Sequence, residues 1–436
     1  MIQVRRLIVL VLALLLVAFS FSQVKNIIYF IGDGMGLSQA YLTSLIEGRP
    51  LSFMKTPYTG LVKTHSVDSW VTDSAAAGTA LASGFKTKNG MINVLPDGTR
   101  VPTIFEIAKA YGAKTGIVVT CRVTHATPAA FYAHVKSRSE ENEIARQLVE
   151  SETVDLVMGG GWANFLPESL GGKRSDGLNL IEMAKKKGYV YVTKKEDLMK
   201  LPENTEKVLA LFAPSHLDPA SSREEQPMLY EMVKKALEIL SNDEEPFFLM
   251  VEGSQIDWEA HDNDIYGVWK EVVEFDRAVQ VALDFALKRG DTLVIVTADH
   301  ETGGLALSSG DYRVDVDRIR KFSKTTDWIL ANYSLKDRES FKKAIEKYFG
   351  LTLSDSDLDR ITSSNNSKVE LGRVLSEKVN VGWTTTSHSG VPVPIYAFGP
   401  GAENFTGFLD NTDIPRIMMK LAGYSLQYPL VKEPVK

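Results

Sequence analysis

The chain has 436 residues, with 49 basic and 55 acidic side chains, a formal charge of −6, 44% hydrophobic and 24% charged residues, and one cysteine. These figures exclude a disordered chain, a collagen-like repeat and a disulfide scaffold. The acidic balance argues against a dedicated nucleic-acid binder, which needs a basic surface to hold phosphates.

At the amino terminus Arg5 and Arg6 precede an unbroken apolar run, Leu7–Phe19. The run is shorter than the roughly 20 residues a helix needs to span a bilayer. Ala18, Ser20 and Ser22 follow with the spacing of a signal-peptidase site, so residues 1–22 read as an export signal, an uncleaved anchor being the alternative. Residues 23–436 are then expected in the periplasm or outside the cell, with no membrane span after signal removal. Cys121 alone cannot form an internal disulfide, and it reads as a core residue.

Beyond the leader, short β-branched runs alternate with helical patterns, the signature of a mostly parallel sheet wrapped by helices. Strands are predicted at Asn26–Ile31, Thr115–Thr120, Val154–Met158, Lys207–Phe212, Phe247–Val251, Thr292–Thr297 and Pro394–Phe398. Helices are predicted at Val101–Tyr111, Glu140–Glu150, Leu178–Lys187, Met228–Leu240 and Val268–Lys288. The expected fold class is α/β, a three-layer sandwich with a large central sheet. Between Gly310 and Ser387 the pattern turns to polar helices without a strong strand, and residues 310–387 read as a helical insert on the active-site rim. Within it Asp337–Phe349 places Phe341, Ile345, Tyr348 and Phe349 on one face with Gly350 as a stop, and Thr362–Lys368 reads as a polar loop.

Acids and histidines cluster where strands end. The first strand runs into Gly32-Asp33-Gly34, the fifth into Glu252 with Asp257 and His261 behind it, and the sixth into Asp299-His300; His388 lies just before the last predicted strand. Ligands of open α/β sheets sit outside the carboxyl ends of strands, so these groups should converge. Several carboxylates in one crevice repel unless a cation sits among them. Asp257 and His261, four apart, share one side of a helical turn. Mixed His and carboxylate ligation suits catalytic zinc. His65, His134 and His216 read as ordinary hydrogen-bonded core or surface residues. Ser74 precedes Ala75-Ala76-Ala77 and should lie in the first turn of a helix, where free N–H groups favour an anion. An ordinary N-cap serine is the competing reading. No Gly-x-Ser-x-Gly elbow accompanies it, so activation by metal fits the rest of the chain.

These residues together resemble the alkaline phosphatase family. The matching stretches are Ile31-Gly32-Asp33-Gly34-Met35-Gly36, Thr72-Asp73-Ser74-Ala75-Ala76, His125-Ala126-Thr127-Pro128-Ala129-Ala130 and Ser137-Arg138. Val251-Glu252-Gly253 through Ile256-Asp257 to His261, then Thr297-Ala298-Asp299-His300 and His388-Ser389-Gly390, complete the ordered set. The resemblance implies two Zn2+ per chain, one held by Asp257, His261 and His388, the other by Asp33, Asp299 and His300 with Ser74 as the attacking ligand. It implies a third metal, usually Mg2+, held by Asp33, Thr127 and Glu252. Arg138 would grip phosphate, with Asp73 orienting its guanidinium, and the protein would be a homodimer. The implied reaction converts phosphate monoesters to alcohol and inorganic phosphate through a phosphoserine.

Two positions depart from the best-known magnesium-dependent bacterial pattern. His125 replaces an Asp near the third metal and Trp258 replaces a Lys. An imidazole favours Co2+ or Zn2+ over Mg2+, so His125 joins the candidate ligands. The alternatives are a related metal-dependent phosphodiesterase and an exported phosphate- or metal-binding protein without turnover. Arg138 argues against the first and Ser74 against the second.

Overall fold

The computed structural model describes residues 24–242 and 244–425. The expected signal, residues 1–22, lies outside them. All seven predicted strands form, with ends displaced by no more than about two residues. In chain order the strands are β1 (Asn26–Gly32), β2 (Tyr58–Lys63), β3 (Lys114–Arg122), β4 (Leu156–Gly160), β5 (Val190–Val192), β6 (Val208–Leu211) and β7 (Phe247–Gly253). They continue with β8 (Thr292–Thr297), β9 (Glu301–Thr302), β10 (Leu305–Leu307), β11 (Val381–Trp383), β12 (His388–Ser389), β13 (Val393–Phe398) and β14 (Gly407–Asp410).

Ten of these strands make one sheet in the order β14-β2-β13-β8-β1-β7-β3-β4-β6-β5. It is mostly parallel; β13 runs antiparallel to both of its neighbours. The central strand β1 is buried at every position of Asn-Ile-Ile-Tyr-Phe-Ile-Gly, as a parallel strand covered on both faces must be. One packed group of helices, Leu37–Glu47, Leu229–Leu240 and α4 (Ile265–Arg289), covers β3, β7 and β8. A second group gathers Ile104–Ala110, α1 (Ser74–Ser83) and α2 (Ala126–Ala129) against β3 and β7. The result is the expected layered α/β sandwich. No described helix is long and apolar enough to cross a membrane.

Three strands of the sheet escape the sequence pattern. β2 and β14 lie at one edge and β5 at the other. β2 alternates buried and exposed residues around Gly60, and β14 is largely exposed, so neither presents an apolar run.

The stretch from Gly310 to Ser387 contains five helices. Its helix Arg338–Phe349 is capped by Asp337 and stopped by Gly350 at φ 63°, with Phe341, Ile345 and Phe349 buried. The predicted loop Thr362–Lys368 shrinks to three residues. Thr362 and Ser363 end one helix, Ser367 and Lys368 begin the next, and Asn366 caps it by accepting from the Val369 N–H. Buried Leu358, Ile361 and Val369 on either side carry the helices further than their polar neighbours suggest. A strand occurs there as well, for β11 pairs antiparallel with β10.

These helices build a separate small core against Leu42, Ile46, Ile265, Tyr266 and Trp269. Asp264 ties it down, accepting from Gly267 N at the start of α4 and from Thr326 N. Asn263 does the same, donating to Thr385 O at 3.1 Å and accepting from Arg373 at 3.0 Å. That clamp sits directly behind α3 (Gln255–His261), which carries two of the candidate ligands.

Candidate metal centre and active site

Four adjacent strands, β8, β1, β7 and β3, deliver the site. Asp299 and His300 follow β8, Asp33 follows β1, Glu252 is the penultimate residue of β7, and His125 and Thr127 lie just past β3. Parallel neighbours end side by side, so residues remote in sequence meet at one edge. Gly34 permits a close approach: at φ 71° it brings the chain so near that a Cβ would lie 2.7 Å from Asp257 Cα.

Two clusters match the expected zinc groups. Asp257, His261 and His388 present ligand atoms all within 4.8 Å of one another, and so do Asp33, Asp299 and His300. In the first, His261 Nε2 is 3.2 Å and His388 Nε2 3.6 Å from the Asp257 carboxylate. In the second, His300 Nε2 is 3.5 Å from Asp33 and 3.2 Å from Asp299.

The other ring nitrogens fix each tautomer. His261 Nδ1 faces Thr386 O at 2.6 Å and His388 Nδ1 faces Thr72 O at 2.8 Å. A carbonyl only accepts, so both Nδ1 atoms carry hydrogen, and Nε2 is the nitrogen a cation would take, at His261 in place of the proton shared with Asp257. Thr302 Oγ1 donates to Asp257 at 2.5 Å and lies 3.3 Å from His300 Nδ1. Its proton already committed, that hydroxyl accepts from Nδ1, and His300 Nε2 is free in the same way.

The protonation energetics agree with a site built for cations. Burial, then the carboxylates of Asp299, Asp257 and Glu252, push Asp33 well above the usual carboxylate range. Asp299 is raised by burial and by Asp257 and Glu252, and burial lifts Glu252 to about 7. Burial would raise Asp257 too, but the hydrogen bond from His261 and the charges of His300, His261 and His388 outweigh it and hold Asp257 low. The same carboxylate overcomes burial at His261 and lifts it to about 9.

Ser74 opens α1 as its first residue, with Asp73 as the cap accepting from Ala76 N at 2.9 Å. The serine is therefore inside the first turn, and the cap is its neighbour. Its Oγ is 3.3 Å from His300 Nε2. Asp73 uses its other oxygen for Gly90 N at 3.0 Å and Arg138 Nη1 at 3.1 Å. Arg138 Nη2 lies 3.0 Å from His125 Nε2. A guanidinium only donates, so His125 accepts there and its ring proton sits on Nδ1. Burial, then Arg138 and Arg122, hold His125 well below the usual histidine range.

Around the third candidate position, Glu252 lies beside Thr127 and Asp33. The ligand atoms of Glu252, His125 and Cys121 fall within 4.8 Å of one another. Cys121 is indeed buried, as expected, but its thiol faces Glu252 Oε2 at 3.3 Å. His216, read from sequence as an ordinary core or surface residue, packs edge-to-face on Trp258 at 4.0 Å and lies 6.0 Å from His125. One signal could have found it, since His216 follows β6 just as the ligand residues follow their strands. His134 is a plain hydrogen-bonded residue, with Glu106 at 2.9 Å. His65 packs against Trp70.

The donor set passes a further test. Both Asp33 oxygens, Asp299 Oδ2, Glu252 Oε1, Thr127 Oγ1 and His125 Nδ1 are buried without a hydrogen-bond partner. Uncompensated polar atoms of this kind are costly, and here they surround one crevice.

The sequence model described as alkaline phosphatase matches residues 24–424. Alkaline phosphatase 4 of Bacillus subtilis is 37% identical over 422 residues, covering 92% of this chain and 89% of its own. The cold-active alkaline phosphatase of a psychrophilic Shewanella superposes with a TM-score of 0.82 at 33% identity, over 91% of this chain and 99% of its own. A variant of the alkaline phosphatase of the Antarctic bacterium TAB5, one histidine replaced by glutamate and magnesium bound in its M3 site, gives a TM-score of 0.72 at 32% identity, over 93% and 100%. With family, fold and a metal-ready crevice in agreement, the chain belongs to the alkaline phosphatase family, and it is a hydrolase of phosphate monoesters.

Proposed function

We propose that this phosphomonoesterase works by two displacements with Ser74 as nucleophile. The observation that carries the reading is the contact of Ser74 Oγ with His300 Nε2 at 3.3 Å, in a cluster whose Asp33 and Asp299 carboxylates keep buried oxygens without a hydrogen-bond partner. Asp257, His261 and His388 would hold one zinc, and Asp33, Asp299 and His300 the second. Asp33, Thr127 and Glu252, with His125 beside them, would hold a third divalent ion. When bound, such ions supply Lewis-acid stabilisation of the entering and leaving oxygens of an in-line displacement.

The chain's own groups do the rest. Ser74 Oγ forms a bond to phosphorus as the ester P–O bond breaks and the alcohol leaves. Water then cleaves the Oγ–P bond, restoring the hydroxyl and giving inorganic phosphate. Arg138, oriented by Asp73, binds phosphoryl oxygens through a planar fork that lysine lacks.

For the third ion we propose cobalt or zinc ahead of magnesium, because His125 and Trp258 stand beside it. The TAB5 variant supports this, since magnesium sits in M3 there with a carboxylate in place of a histidine. Export by the leader and assembly as a homodimer complete the proposal. Incubation with radiolabelled phosphate at acid pH should label Ser74, and Ser74→Ala should keep its metal yet take up no label. Label on any other residue overturns the assignment.

A further inference from the structure

We infer that Cys121 is itself a ligand of the third divalent ion, so that this site carries a sulfur donor. The inference rests on the reading of Glu252 and Thr127 as holders of that ion.

Cys121 is the penultimate residue of β3, whose neighbour β7 carries Glu252. The two strands pair as far as Val119 and Glu252, and Cys121 lies two residues beyond, where the register of β3 with β4 shifts between Val118 and Arg122. Its backbone is pinned across the two strand ends: Cys121 N donates to Ser254 Oγ at 3.1 Å, and Ser254 N donates to Thr120 Oγ1 at 3.0 Å. With the main chain so held, the thiol meets Glu252 Oε2 at 3.3 Å.

That separation fits shared coordination. Thiolate and carboxylate ligands at about 2.3 and 2.1 Å from a tetrahedral ion stand roughly 3.6 Å apart. The thiol therefore need shift only slightly to bind. Further donors stand at the same carboxylate, for Glu252 lies beside Thr127, and Glu252 Oε1 and Thr127 Oγ1 are both buried without a well-formed hydrogen bond. His125 is the poorer soft donor as it stands. Its Nε2 accepts from Arg138, and a cation at Nδ1 would first have to displace the ring proton and that hydrogen bond. Cys121 must give up its proton as well, but the hydrogen bond it loses runs to Glu252, which would share the same ion.

Coordination replaces the thiol proton: the S–H bond breaks, the proton passes to solvent, and the sulfur lone pair binds the ion. A thiolate selects zinc or cobalt strongly over magnesium, which prefers an all-oxygen octahedron. Residue 121 then adds to the preference proposed from His125 and Trp258.

The experiment reconstitutes the full enzyme with cobalt, counts metal per chain by mass spectrometry, and records the near-ultraviolet sulfur-to-cobalt charge-transfer band. The chain has one cysteine, so a band assigns itself. Three ions with the band are expected in the unaltered protein. Cys121→Ser should still bind three, lose the band, and lose on the order of 10–100-fold of its preference for cobalt over magnesium at that site. Three ions without a band overturn the inference and leave the third site intact. Two ions per chain overturn the third site itself, and the inference with it. Should Cys121→Ser fold poorly, zinc X-ray absorption of the unaltered enzyme answers the same question, a sulfur scatterer at about 2.3 Å supporting it and its absence at full occupancy refuting it.

Discussion

Replacing Arg138 by alanine separates the phosphate contact proposed for it from the scaffold that holds it. The guanidinium makes two side-chain contacts, to Asp73 at 3.1 Å and to His125 at 3.0 Å. Its ion pair with Asp73 is partly exposed, 28% and 21% for the two side chains, which places its worth to stability at about 0–1 kcal/mol. Asp73 keeps Gly90 N and Ala76 N after the change, so the cap of α1 survives. Folding should therefore barely notice. Phosphate should notice strongly, because one charge-assisted hydrogen bond is worth about 1.5–3 kcal/mol. That range converts to a roughly 10- to 150-fold rise in the inhibition constant of inorganic phosphate. The assay is competitive inhibition of aryl phosphate hydrolysis by metal-saturated enzyme, with thermal unfolding measured in parallel. Unchanged inhibition at full metal content would falsify the placement of Arg138 at the phosphate. A large fall in unfolding temperature would instead show that the ion pair, against its exposure, holds the fold.

Three further outcomes are expected. Gly34→Ala should lower metal content and activity together and destabilise by at least about 1–2 kcal/mol, since alanine resists φ 71° and its methyl would press on Asp257; metal analysis and calorimetry check this, and a fully loaded, active variant would contradict it. After stripping and zinc reconstitution, cobalt should activate the unaltered enzyme more than magnesium, and His125→Asp with Trp258→Lys should reverse that order; a need for magnesium with no gain from cobalt would sink the reading of His125. His216, pushed down to about 3 by burial and by Arg122 and Lys173, stays neutral in the folded chain while the unfolded chain takes up its proton below about pH 6.5. Stability should therefore fall with pH from that point toward 3, and His216→Gln should flatten the decline in denaturant titrations at pH 7 and pH 5.

The central strands and the acids behind them were legible because a strand covered on both faces must be apolar throughout, and a charge directly after such a run is conspicuous. Asp33, Asp299 and His300 share that signature. His388 does not, and neither its two-residue pairing with β9 nor the edge strands β2 and β14 has enough buried surface to leave a pattern. Cys121 was legible as buried and illegible as a neighbour of Glu252, because that meeting depends on the registration of β3 with β7, 131 residues apart. His216 offered only its place after β6, for a histidine in isolation carries no sign of the ring it will meet edge-to-face.

The contacts that fix the imidazoles close on themselves. Ser74 touches His300, His300 reaches Thr302, Thr302 bonds Asp257, and Asp257 faces His261. His261 is held by Thr386, two residues before His388, and His388 is held by Thr72, two residues before Ser74. A circuit of this kind is geometrically over-determined, for displacing one member strains every other. Substitutions around it should couple strongly in double-mutant cycles even where the altered side chains never touch. The circuit also ties Ser74 to groups outside α1, which suits the nucleophilic role proposed for it, since an ångström of misplacement is worth orders of magnitude in rate.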